Sequence, residues 1–112
     1  MTVIIVGAPV GVHTLAEGRE TDANTEFWAP EPVDAANTAA GLAAALVAFE
    51  AEVSGRQVES IVLADDSDAA LAAALIGTKL PVDVYAVAAA REAPSANGRL
   101  IGQLAAAYTP PA

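Results

Sequence analysis

The sequence predicts a small α/β domain in three layers, with a short parallel sheet flanked by Ala-rich helices. Three observations carry that expectation. Short β-rich runs occur at residues 2–6, 60–64 and 82–87, and the first two are continuously apolar, as strands buried on both faces are. Segments rich in Ala and Leu, long enough for helices, separate and follow them. Strands alternating with helices build a parallel sheet through right-handed crossovers. At 112 residues the chain suits one such domain and falls short of two, so we expect a single Rossmann-like unit over 1–112.

Taken in order, the first strand runs into the turn "GAPVG". Residues 13–33 then read as a long polar loop interrupted by Gly18, Pro30 and Pro32. That loop holds Phe27 and the only Trp, Trp28, and has room for one short helix or an edge strand near residues 26–29. Asp34 opens "DAANTAAGLAAALVAFEAEVSG", where Leu42, Leu46, Phe49 and Val53 share a helical stripe and Gly55 stands as the C′ terminator. The second strand ends in "DDSD", whose Asp66, Ser67 or Asp68 can cap a helix reaching about Lys79. After the third strand, Ser95 caps "SANGRLIGQLAAAY", with Leu100, Leu104 and Tyr108 at helical spacing. Residues 109–112 read as a frayed tail.

Composition narrows the function. Hydrophobic residues make up 54% and aromatic ones 4%, so the core has to be aliphatic. Fourteen acidic residues against five basic ones give a net charge of −9, which disfavours nucleic acid and an anionic membrane surface as partners. With no cysteine, disulfides, iron–sulfur clusters, thiolate zinc sites and cysteine nucleophiles are excluded. The opening apolar run is too short to span a membrane and lacks a basic flank, so a soluble, cytoplasmic protein is expected.

The helices themselves hint at a partner. No charged residue occurs from 35 to 49 and no polar one from 69 to 76. A helix apolar all round buries more than one side. Leu42, Leu46, Val47 and Phe49 span more than one stripe, and we expect them to form the interface of a homo-oligomer, most simply a symmetric dimer.

Ligands of open α/β sheets sit at the carboxyl ends of the strands. Here those ends are residues 7–13, 65–68 and 88–99. Asp66 and Asp68 have the spacing to hold Mg²⁺ through carboxylate oxygens, or else to cap the helix and complement its dipole. Gly7 and Gly11 would let backbone amides approach an anion, although Pro9 removes one donor. His13, the only histidine, is either a general base or an incidental loop residue. Arg91 and Arg99, two of the five basic residues, would meet a phosphate or carboxylate, or pair with an acid such as Glu92. The expected ligand-binding set is therefore Gly7, Pro9, His13, Asp66, Ser67, Arg91, Asn97 and Arg99. No complete catalytic constellation is visible, and no cofactor is expected.

Residues 64–90, "ADDSDAALAAALIGTKLPVDVYAVAAA", resemble a segment of the non-hydrolysing UDP-N-acetylglucosamine 2-epimerases. In that family a strand ends in Gly-Asp-Thr, an Ala/Leu-rich helix follows, and the next strand ends in His-Val-Glu-Ala-Gly. Asp66 matches the family Asp, Ser67 its Thr, Lys79 and Leu80 the Lys-Leu that often ends the helix, and Val87 the Val of the second motif. "PSANGRLI" is similar to Pro-Glu-Glu-x-Asn-Arg, with Pro94 and Arg99 in place and Asn97 shifted by one, and "YTPP" resembles the closing strand of that half. The resemblance covers about the last half of the chain and implies an N-terminal half-domain with a nucleotide-sugar or phosphate ligand.

The departures from the family pattern fall on its chemistry. The family's strand-end His and Glu fall on Ala86 and Ala88, and its Pro-Glu-Glu acids on Ser95 and Ala96. "GAPVG" lacks the Arg and Glu expected after the first strand, and the nucleotide-gripping second domain has no counterpart in these residues. Methyl groups transfer no protons, so the resemblance implies a disarmed half-enzyme. The expectation is a non-catalytic, self-associating binding or interaction module. The alternatives are an Mg²⁺-dependent enzyme or phosphate-binding protein using Asp66 and Asp68, and a purely structural oligomerisation unit.

Overall fold

A computed structural model describes residues 2–17, 24–30 and 38–108, with residues 14–17 described as backbone. The elements are β1 (Thr2–Val6), α1 (Pro9–Glu17), β2 (Thr25–Trp28), α2 (Ala39–Val53), β3 (Val58–Leu63), α3 (Asp68–Gly77), β4 (Asp83–Ala86), α4 (Ala88–Arg91), α5 (Ala96–Leu104) and β5 (Ala106–Ala107). All strand pairs are parallel, in the order β2-β1-β3-β4-β5. This is the order of flavodoxin-like doubly wound sheets, whose switch point lies between β1 and β3.

Alternation along the strands sends side chains to two faces. Ile4, Val6, Ile61, Leu63 and Ala86 pack with Phe49 of α2, Leu71 of α3 and Ile101 of α5 in the larger core. Ile5 and Val62 pack on the opposite face with Val12 of α1. Helices α2, α3 and α5 therefore cover one face and α1 the other, as a doubly wound chain requires. Among the described residues no helix is long and apolar enough to cross a membrane.

The structure departs from the sequence reading in several places. The expected loop over 13–33 is partly regular, because α1 runs to Glu17 and β2 forms the edge strand beside β1 that the sequence allowed. Pro9 takes the first helical position, where its fixed φ suits the helix and its missing N–H is an orphan in any case. Val12 then supplies the buried contact. Residues 18–23 and 31–37 lie outside the described residues, and with them Gly18, Pro32 and the helix start expected at Asp34. The cap that is seen belongs to Thr38, whose Oγ1 accepts the Gly41 amide at 3.0 Å. Helix α2 ends as expected, with Gly55 at φ 73.

After β4 the chain forms the short helix α4 before α5. Helix α5 stops at Leu104, so Tyr108 is not on its stripe. Ala105 turns extended, and Ala106–Ala107 adds a fifth strand opposite Tyr85 and Ala86. The Tyr108 amide continues that ladder, donating to the Ala86 carbonyl at 2.9 Å. The tail 109–112 lies outside the described residues.

Phe49 needs the clearest correction. It is fully buried and meets Trp28 edge to face, with ring centroids 5.0 Å apart, so its ring belongs to the chain's own core and not to an interface. Leu42 is half-buried against the same core and Leu46 is also half-buried. Of the expected interface residues, Val47 is the one that faces solvent, 72% exposed.

Candidate functional site at the strand ends

Two polar clusters occupy the carboxyl edge of the sheet. The first lies at the switch point. The Gly7 amide donates to the Trp28 carbonyl at 3.3 Å and the Ala64 amide to Val6 at 2.9 Å, so the turns after β1 and β3 start side by side. Asp65 bridges them. Its Oδ2 accepts the Ala8 amide at 2.9 Å and its Oδ1 accepts the Ser67 amide at 3.0 Å. A Cβ on Gly7 would lie 2.9 Å from Oδ2, and one on Gly11 would come closer than real Cβ contacts ever do. The glycines of "GAPVG" thus make room for the chain's own carboxylate.

The second cluster joins the starts of α3 and α5. Ser67 caps α3, its Oγ accepting the Ala70 amide at 3.2 Å. Asp66 does not cap that helix. Its Oδ2 accepts the Ser95 hydroxyl at 2.7 Å, while Ser95 Oγ in turn accepts the Gly98 amide at 3.0 Å as the cap of α5. Asn97 Nδ2 donates to the Asp66 carbonyl and to Asp68 Oδ1, both at 3.0 Å. That amide nitrogen ties the Asp66 backbone carbonyl to the Asp68 carboxylate, while the Asp66 carboxylate is engaged by Ser95. Asp68 also lies in the first turn of α3, where its charge complements the helix dipole. Among the described residues no group of three His, Cys, Asp or Glu side chains could hold a metal ion.

Beside this cluster, Thr38, Ala39 and Leu42 of α2 face Asp68, Ser95, Ala96 and Asn97 across a cleft of about 380 Å³. None of these lining residues is basic. The expected arginines stand elsewhere. Arg91 ends α4 half-buried, its Nε buried without a hydrogen-bond partner. Arg99 is exposed and donates to the Pro94 carbonyl at 3.3 Å. His13 is exposed on α1, away from the cleft lining.

The structure therefore brings together Asp66, Ser67 and Asn97 of the expected set. Gly7 and Pro9 lie at the neighbouring turn, while His13, Arg91 and Arg99 join neither cluster. Sequence reasoning passed over Asp65 and the link from Ser95 to Asp66. Gly7 and Gly11, one helical turn apart, were the available trace of Asp65, since paired gaps ask for something to fill them. Residues 64–90 run from the turn after β3 through α3 and β4 to the first residues of α4. No family model, curated protein or solved structure matches the chain significantly.

Proposed function

We propose that this chain is a non-catalytic, self-associating α/β interaction module. The observation that carries the reading is the engagement of the strand-end acids within the chain. Asp65 holds two backbone amides, Asp66 the Ser95 hydroxyl and Asp68 the Asn97 amide. A general acid or base has to reach a substrate proton, and a metal ligand has to turn its oxygens to a cation. These oxygens are turned to helix starts instead. The likeness to the 2-epimerases supports the same conclusion, since Asp66 alone matches one of that family's catalytic carboxylates.

The contact surface in this reading is the outer face of α2. Ala40, Ala43, Val47 and Ala51 are exposed along it, and no charge occurs on the helix before Glu50. On a chain of net charge −9, that is where two copies approach with least repulsion. Sedimentation velocity over a range of concentrations tests it. The wild type should pass from monomer to dimer, and Val47→Glu should stay monomeric with an unchanged melting curve at low concentration. A wild type that remains monomeric throughout would remove self-association from the account.

A further inference from the structure

In a doubly wound sheet, a ligand's phosphate seats at the turn after the first strand, against the start of the first helix. In this chain that position is filled from within. The Ala8 amide at the start of α1 already donates to Asp65 Oδ2. The other carboxylate oxygen is held by the Ser67 amide, so the group is fixed from the opposite turn. Gly7 and Gly11 leave the volume that the carboxylate takes up, and a methyl at either position would collide with it. Pro9 offers no amide of its own.

We propose that Asp65 is a resident anion that closes the switch-point crevice to phosphorylated ligands. A phosphate brought to the Ala8 amide would meet a carboxylate already bonded there, and like charges at that range repel. The same contact ties the β1–α1 turn to the β3–α3 turn, doing structurally what a bound phosphate does in an open site. This goes beyond the interaction reading and stands or falls separately from it.

The test follows melting of the wild type and of Asp65→Ala as inorganic phosphate rises at constant ionic strength, with chloride as the balancing salt. The wild type should hold one melting temperature throughout. Asp65→Ala should melt lower in chloride and recover saturably with phosphate. Gly11→Ala supplies a second comparison. Ala is the better helix former, yet in the wild type its methyl meets the carboxylate, so the change should lower the melting temperature there. In Asp65→Ala it should lower it by clearly less, since the Cβ of residue 65, 3.2 Å away, is what remains. If Asp65→Ala does not fold in chloride, Asp65→Ser, smaller than Asp and without charge, replaces it in both comparisons. A wild type that shifts with phosphate as the variant does, a folded variant indifferent to phosphate, or a Gly11→Ala effect equal in both backgrounds overturns the proposal.

Discussion

The Ser95 hydroxyl donates to Asp66 Oδ2 at 2.7 Å while its oxygen accepts the Gly98 amide at 3.0 Å, so one side chain caps α5 and ties it to the turn before α3. A cap alone contributes about 1 kcal/mol. A hydrogen bond to a charged group adds roughly 1.5–3 kcal/mol when half-buried and well aligned. Ser95→Ala should therefore destabilise by about 2.5–4 kcal/mol, combining the two effects. Urea unfolding of Ser95→Ala, Asp66→Ala and the double variant checks this, and the two changes should couple by more than about 0.5 kcal/mol. Strict additivity would mean that the contact contributes nothing.

Phe49 and Trp28 make the second prediction. Their edge-to-face pair pins the edge strand β2 under α2. Phe49→Ala removes a fully buried ring and should cost about 3–5 kcal/mol. Trp28 fluorescence in the folded state should shift to the red as its ring loses that neighbour. Were Phe49 an interface residue, its loss would instead abolish association and leave the monomer's stability nearly intact.

Arg56 makes a contrast with that pair. It reaches Glu26 on β2 and Glu52 on α2, the latter at 3.1 Å, with all three side chains substantially exposed. Exposed ion pairs of this kind contribute about 0–1 kcal/mol and weaken with salt. Arg56→Ala should thus cost far less than Phe49→Ala, and its cost should shrink further at high salt. A loss comparable to that of Phe49→Ala would show that the edge strand is held by charge and not by packing.

Salt should act in the opposite sense on association. Two copies of charge −9 repel, and added salt screens that repulsion without weakening an uncharged contact. Dimerisation through α2 should strengthen as salt rises, read by sedimentation equilibrium. Weakening with salt would place the contact at charged residues instead.

Gly55 gives a backbone prediction. Its φ of 73 lies in the left-handed region, with open space where a Cβ would be added. Gly55→Ala should cost about 1–2 kcal/mol from backbone strain alone, measured by urea unfolding. A neutral outcome would mean that the end of α2 relaxes to another turn.

The parallel sheet was legible because continuous apolar runs such as "VIIV" leave few alternatives, and Gly55 marked the end of α2 through the one conformation that favours glycine. Helix α1 was hidden because its start at Pro9 resembles a loop breaker and its next residues mix Gly, His and Thr. The two-residue strand β5 was hidden inside an Ala run that suits a helix equally well, and only pairing with β4 decides it. At the site, the caps Ser67 and Ser95 could be read from local spacing. Asp65 on Ala8 and Asp66 on Ser95 join residues far apart in the chain, and nothing local encodes such contacts. Phe49 showed the limit of the helical stripe, since the same spacing describes a face turned to the core and one turned to a partner.

The most direct measurement is a thermal-shift screen of the wild type and Asp66→Ala, with and without Mg²⁺, against UDP, UDP-N-acetylglucosamine, other nucleotides and simple phosphates. A ligand at a hundred times its dissociation constant adds about 2.7 kcal/mol, readily seen in a domain of this size. The account predicts that Asp66→Ala melts lower than the wild type and that neither responds to any ligand or to Mg²⁺. A wild-type shift that requires Mg²⁺ or a nucleotide and vanishes in Asp66→Ala would contradict it, making Asp66 part of a working site.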